Sequence, residues 1–210
     1  MGQLADAIDA RQQQSRQGRD ARTGEARNAP EVLVGTIGLV AGADHCIAFN
    51  EDDAADIEQA SVPIWGIRFT VLTSDRVAMA KARGASYASC TINEAQAEVA
   101  LDPDFDIVVR LLDTDMDEAT LRALARFRPT ALAPAPQFPL SLRDAANMQR
   151  LRMLTGIPLA ILCPIEVTAS DLEIMRDAGL GCMLLARGAT SDDVAAVKQR
   201  IADLPDRPAD

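Results

Sequence analysis

Residues 156–201 read GIPLAILCPIEVTASDLEIMRDAGLGCMLLARGATSDDVAAVKQRI. A short apolar strand, 159–163, ends in a turn. Ser170-x-x-Glu173 has the form of a capping box and opens a helix, which Gly179 closes. A second buried strand follows at 182–186, and Ser191 opens a last helix that runs to about residue 202. This is one βαβ unit followed by a further helix. The same grammar recurs upstream, and repeated βα units imply a parallel sheet with helices on its faces.

Working outward, 31–37 (EVLVGTI) reads as a strand, 38–43 as a glycine-bearing turn and 44–49 (DHCIAF) as a second strand, with Asn50 capping the helix that follows. Residues 64–71 (IWGIRFTV) form a strand, and Ser74-Asp75 opens a helix closed by Gly84. A strand at 86–91 precedes a weaker helix from Asn93 to about Leu101. Residues 105–112 (FDIVVRLL) are the clearest buried strand, and Asp115-x-x-Glu118 is a second capping box. A strand at 130–133 and a helix opened by Ser141 complete the series. Eight strands are expected, seven of them followed by a helix and the first only by a turn. About 175 residues is compact for such a set, since (βα)8 barrels typically take about 200 or more. The expected fold is a compact (βα)8-like TIM-type barrel with one βα unit incomplete. An open doubly wound parallel sheet is the alternative. No strand is followed by GxGxxG and there is no GxxxxGK[ST], so the usual nucleotide signatures are missing.

The chain has 210 residues, enough for one well-buried core and too few for two comfortable domains. Aromatic residues make up only 3%, so Ala, Leu, Val and Ile must fill that core. Residues 1–29 are read as a polar N-terminal helix or a disordered segment, in which Leu4, Ala5 and Ile8 supply one turn of apolar surface. Residues 30–203 form the barrel domain and 204–210 a tail. The net charge of −10 argues against nucleic acid and anionic membranes as partners. No apolar run is long enough to span a bilayer, and the N-terminus lacks a secretory apolar core, so a cytoplasmic protein is expected. Cys46, Cys90, Cys163 and Cys182 are far apart, each in an expected strand, and read as buried free thiols rather than a zinc or disulfide framework. No metal site and no cofactor are expected. Of the 21 basic residues only Lys81 and Lys198 are lysines. Both sit at helical positions, which disfavours a Schiff-base lysine at a strand end.

In such folds ligands bind at the C-terminal ends of the strands. Strand alternation sends Trp65, Ile67, Phe69 and Val71 toward the helices, and Gly66, Arg68 and Thr70 into the barrel. By the same count Ile107, Val109 and Leu111 face outward, and Val108, Arg110 and Leu112 inward. Two arginines inside a barrel need anionic partners, because an unpaired buried charge is costly. Those partners are either a phosphate or carboxylate ligand, gripped by Arg68 and Arg110 with Arg187, or internal carboxylates such as Glu31, Asp106, Asp113 or Glu166. Asp113 and Glu166 follow strands and are the carboxylates least explained by helix capping, so they are the acid–base candidates. Gly188 and the amides near Thr190 and Ser191 form a possible phosphate cradle at a helix N-terminus, which Asp192 and Asp193 oppose. His45, the lone histidine, starts a strand at the end away from the expected site and reads as a surface or packing residue. Cys163 ends a strand but has no histidine on its face to activate it.

The run PLAILCPIEVTASDLEIMRDAGLGCMLLARG resembles the late βα units of aldolase-type (βα)8 barrels, and RVAMAKARGASYASC resembles an earlier unit of the same kind. The likeness spans about residues 45–203. It is to the superfamily, and to bacterial barrels without an assigned activity, rather than to one enzyme family. The strand lysine of class I aldolases and the glycine-rich FMN loop of flavin barrels are both missing. The resemblance implies a lyase or isomerase acting on a phosphorylated or carboxylated small molecule. A non-catalytic ligand-binding or scaffold barrel is the alternative, and a flavin- or nucleotide-dependent oxidoreductase a third reading. A short barrel with an open end also makes a homo-oligomer a possible assembly, unless the N-terminal segment covers that end.

Overall fold

A computed structural model of the chain describes residues 2–20, 32–60, 62–102, 104–112 and 116–205. Eight parallel strands close on themselves: β1 (Leu33–Ile37), β2 (His45–Ala48), β3 (Trp65–Arg68), β4 (Tyr87–Thr91), β5 (Asp106–Leu111), β6 (Ala131–Pro134), β7 (Leu159–Cys163) and β8 (Leu180–Leu185). Closure is made where β1 pairs with β8, Leu33 opposite Cys182 and Thr36 opposite Leu185. The protein is a (βα)8 TIM-type barrel, and the open-sheet alternative is excluded by that pairing.

Six strands are followed by an α-helix: α2 (Glu51–Gln59), α3 (Ser74–Ala82), α4 (Glu118–Arg126), α5 (Leu142–Thr155), α6 (Ala169–Asp177) and α7 (Ser191–Ala202). The turn alone joins β1 to β2, as the sequence implies. The weak helix expected after β4 is instead two 3-10 segments, Ile92–Glu94 and Ala97–Leu101. The cause is a parallel bridge between Leu72 and Ala95. The Leu72 amide donates to the Glu94 carbonyl and the Gln96 amide donates to the Leu72 carbonyl. Residue 95 is thereby held extended, which breaks the helical ladder.

Several helix starts shift from their expected places. Thr168, not Ser170, caps α6, its hydroxyl accepting from the Asp171 amide at 3.1 Å. Thr73 caps α3 and Thr190 caps α7, each one residue before the serine expected to open the helix. Asp117 caps α4 in place of Asp115, which lies outside the described residues. Asn50 and Ser141 cap α2 and α5 as read. Gly84 and Gly179 close α3 and α6 with φ of 81° and 91°, a conformation a side chain disfavours.

The core has two shells. Outward strand residues such as Val34, Trp65, Ile67, Ile107 and Val109 pack under the helices. Inward residues Leu33, Ile47, Tyr87, Val108, Ala131, Ala160 and Cys182 form a separate cluster, which Leu4 and Ile8 of α1 (Gln3–Asp20) join. Bulk inside the barrel is balanced by glycine. A Cβ on Gly35 would sit 2.4 Å from the His45 ring, and one on Gly66 would sit 2.4 Å from the Tyr87 ring. These are cross-strand register partners, so each glycine gives its neighbour's ring room.

The N-terminal helix α1 reaches the lower end of the barrel, where the strands begin. Leu4 and Ile8 are fully buried there. The Asp106 carboxylate accepts from the Leu4 amide at 2.8 Å and the Ala5 amide at 3.2 Å, and from the Thr130 hydroxyl at 2.7 Å. A carboxylate on the open amides of a helix start offsets their desolvation and suits the helix dipole. The first turn of α1 is therefore part of the barrel's core.

Candidate active site

A cavity of about 220 Å³ runs up the barrel interior. Leu4, His45 and Tyr87 line its lower part, and Arg68, Arg110, Leu112 and Leu162 line it nearer the C-terminal ends of the strands. Arg68 is the last residue of β3 and Arg110 the fifth of β5, on either side of β4. Register places Arg68 opposite Ser89 and Arg110 opposite Thr91. Both arginines point inward because their bulky neighbours, Ile67, Val109 and Leu111, pack outward under the helices.

The two guanidinium groups carry no ion pair among the described residues. Arg68 lies over the Phe49 ring, 4.6 Å from its centroid, a cation–π contact that holds the side chain at the cavity wall. The Nε of Arg110 is buried and bonds to nothing among the described residues. Burial pulls the Arg110 pKa below its ordinary value, and the positive charge of Arg68 pushes it the same way. Glu94 opposes this, but its carboxylate is already held by the Thr91 hydroxyl. The two guanidinium groups thus face one cavity whose described lining holds no carboxylate, and a guanidinium is suited to carboxylate or phosphate through its paired N–H donors.

The other expected site residues fall elsewhere. Glu166 is exposed in the turn after β7 and does not line the cavity. Arg187 is also largely exposed and is ion-paired with Asp53 of α2. Gly188 has φ of 97° in the turn before α7. At that helix start the Asp193 carboxylate accepts from the Thr190 amide and hydroxyl, and the Thr190 hydroxyl accepts from the Asp193 amide, so the protein's own cap occupies these donors. Asp113 lies outside the described residues. The structure thus brings together Arg68 and Arg110, and it places Glu166, Arg187 and Gly188 away from the cavity lining.

The remaining polar groups of the lining are ill suited to proton transfer near neutral pH. Of the two places read for His45, surface or packing, the structure gives packing: it is 1% exposed inside the barrel. Its Nδ1 lies 3.2 Å from the Tyr87 hydroxyl, which donates to the Cys46 carbonyl at 3.0 Å. Burial lowers the His45 pKa to about 4, and it pushes Tyr87 well above its ordinary value and Cys182 up to about 12. Cys163 faces outward, 3.9 Å from the Met175 sulfur, and burial also raises its pKa, so it is an inert core thiol. Phe49, Tyr87 and Ser89 were not singled out by sequence. Alternation in YASCT does put Tyr87 and Ser89 on one face, and the pairing of β2 with β3, Ala48 opposite Ile67, brings Phe49 beside Arg68.

Among the described residues no three His, Cys, Asp or Glu side chains converge in a metal-binding group, and no helix is long and apolar enough to cross a membrane.

No protein-family model matches the chain, and no curated protein matches it in sequence. Solved structures do match its fold. It is similar to 3-keto-L-gulonate-6-phosphate decarboxylase from Vibrio cholerae O1 biovar El Tor, at 12% identity and a TM-score of 0.66, over 83% of this chain and 99% of that one. It is similar to tryptophan synthase from M. tuberculosis, at 12% identity and a TM-score of 0.64, over 96% and 98% of the two chains. A 3-hexulose-6-phosphate synthase gives 14% identity and a TM-score of 0.59, over 81% of this chain and 99% of that one. At such identities the likeness is one of fold, and it agrees with a (βα)8 TIM-type barrel.

Proposed function

We propose that the protein binds a small anionic molecule between Arg68 and Arg110, and that it is a lyase- or isomerase-type barrel acting on a phosphorylated or carboxylated compound. The observation that carries this reading is the pair of inward guanidinium groups without a described carboxylate partner, one of them with a buried, unbonded Nε. The position agrees with the general rule that barrel ligands bind at the strands' C-terminal ends. The names of the structurally similar 3-keto-L-gulonate-6-phosphate decarboxylase and 3-hexulose-6-phosphate synthase support the class, as an analogy of fold. Asp113, three residues beyond Arg110 in the chain, is the acid–base candidate, since Glu166 lies outside the cavity lining.

A non-catalytic binding barrel is the second reading. It is favoured by one feature: the described lining holds no carboxylate, and its histidine, tyrosine and cysteine are all shifted away from neutral titration. Calorimetry with inorganic phosphate and a set of small carboxylates tests the shared claim. Arg68→Ala and Arg110→Ala should each weaken anion binding at least tenfold, and unchanged affinity in both variants would sink it. Turnover separates the two readings. If Asp113→Asn binds normally but loses solvent-deuterium exchange into the bound ligand, the enzyme reading stands. No exchange in the wild type with any bound anion leaves the binding barrel.

A further inference from the structure

We infer that the ligand is a small anion with an apolar body, an aliphatic or aromatic carboxylate or phosphomonoester, and not a polyhydroxylated sugar phosphate. This rests on the anion reading of Arg68 and Arg110 and specifies what is attached to the anion.

Around the two arginines the cavity wall is Ile47, Val108, Ala160, Cys182 and Leu184, with Phe49 on the Arg68 side. Beside the two guanidinium groups the lining offers few polar side chains, and the Nε2 of His45, unpartnered among the described residues, lies in the lower part, away from the strands' C-terminal ends. The Tyr87 hydroxyl is committed to the Cys46 carbonyl and the His45 ring. Ser89, beside Arg68 in register, is the one lining hydroxyl among the described residues with no bond of its own to the protein. A sugar phosphate would carry several hydroxyls into this space, and buried hydroxyls without partners weaken binding. A hydrocarbon or aryl body instead gains by leaving water.

The rim has the same character. Leu112 is 75% exposed and Leu162 48% exposed, and both line the cavity. Large apolar side chains left in water beside a pair of cations match a ligand with a charged head and an apolar body. Size sets the length of that body. An apolar cavity of roughly 150 Å³ takes benzene. The 220 Å³ found here therefore suits a body of roughly six to eight carbons.

Calorimetry on the full chain distinguishes the possibilities, with benzoate, hexanoate, phenyl phosphate, acetate, inorganic phosphate and ribose 5-phosphate as probes. The expected result is that benzoate and hexanoate bind at least tenfold tighter than acetate. Alternatively, phenyl phosphate binds tenfold tighter than both inorganic phosphate and ribose 5-phosphate, which assigns the head as phosphate rather than carboxylate. The favoured probe should also show a negative heat-capacity change, a readout of apolar burial that needs no variant. Leu162→Ser, at the rim, should weaken that probe severalfold. Ala160→Phe, which fills the interior, should abolish its binding. Equal affinity for ribose 5-phosphate and phenyl phosphate, with benzoate no better than acetate, would overturn the inference and leave the anion site standing. If no probe binds the wild-type protein, the anion reading itself falls, and this inference with it.

Discussion

His45 reads from sequence as a surface or packing residue, and its burial makes it the second. It begins a strand at the end away from the arginines, as its place in DHCIAF implies, but it points inward and is sealed by Tyr87, Gly35 and the barrel wall. Its pKa in the folded protein is about 4 against an ordinary 6.5, chiefly through burial, so the unfolded chain binds more protons than the native one between those values. Stability from this residue is therefore full above pH 6.5 and is lost as pH falls toward 4, amounting to about 3 kcal/mol. Urea unfolding of the wild type and His45→Asn at pH 7 and pH 5 checks this: the wild type should lose stability that the variant does not, and parallel losses would contradict it. Gly35→Ala should also destabilise, by about 1–3 kcal/mol, because the new methyl has to displace the His45 ring. The inward aim of Arg68 and Arg110 was legible because their neighbours alternate in bulk. The sealing of His45 was not, since it depends on contacts between strands far apart in sequence.

At the scale of elements, the helices other than the one expected after β4 were legible to within a few residues, and their caps less so. Any Ser, Thr, Asp or Asn near a helix start can cap it, and the winner is the one whose backbone is extended where the chain leaves the strand. In α6 that residue is Thr168, with φ −80° and ψ 160°, while Ser170 is already helical. Thr168→Ala should cost about 1 kcal/mol, measured by chemical unfolding, and Ser170→Ala should change little. The reverse order would restore the capping box read from sequence. The N-terminal helix was the harder element. Among the described residues Leu4 and Ile8, with Ala7 beside them, carry its apolar packing, and nothing local in a polar segment says that Asp106, a hundred residues away, will accept from its first amides. Leu4→Ala should cost about 2–5 kcal/mol, like other buried leucines. A loss under 0.5 kcal/mol, the range of surface substitutions, would mean that α1 does not hold the lower end of the barrel.

For the whole molecule, repeated βα units limited the choice to a closed barrel or an open sheet, because both follow from the same alternation of strand and helix. Missing nucleotide motifs tipped the reading toward the barrel, and the pairing of β1 with β8 decides it. Closure is also what creates the site: arginines on β3 and β5 share a cavity only when the sheet curls around it. Arg187 and Glu166 follow strands as well, yet they lie outside that lining, so position at a strand's end is not sufficient. The most direct test of the central claim is an NMR titration of the arginine Nε–H signals with benzoate and phenyl phosphate. The account predicts that the Arg110 and Arg68 signals shift together and saturate at the calorimetric affinity, while Arg187, held by Asp53, stays still. Saturable binding that leaves both Arg68 and Arg110 unmoved would contradict it.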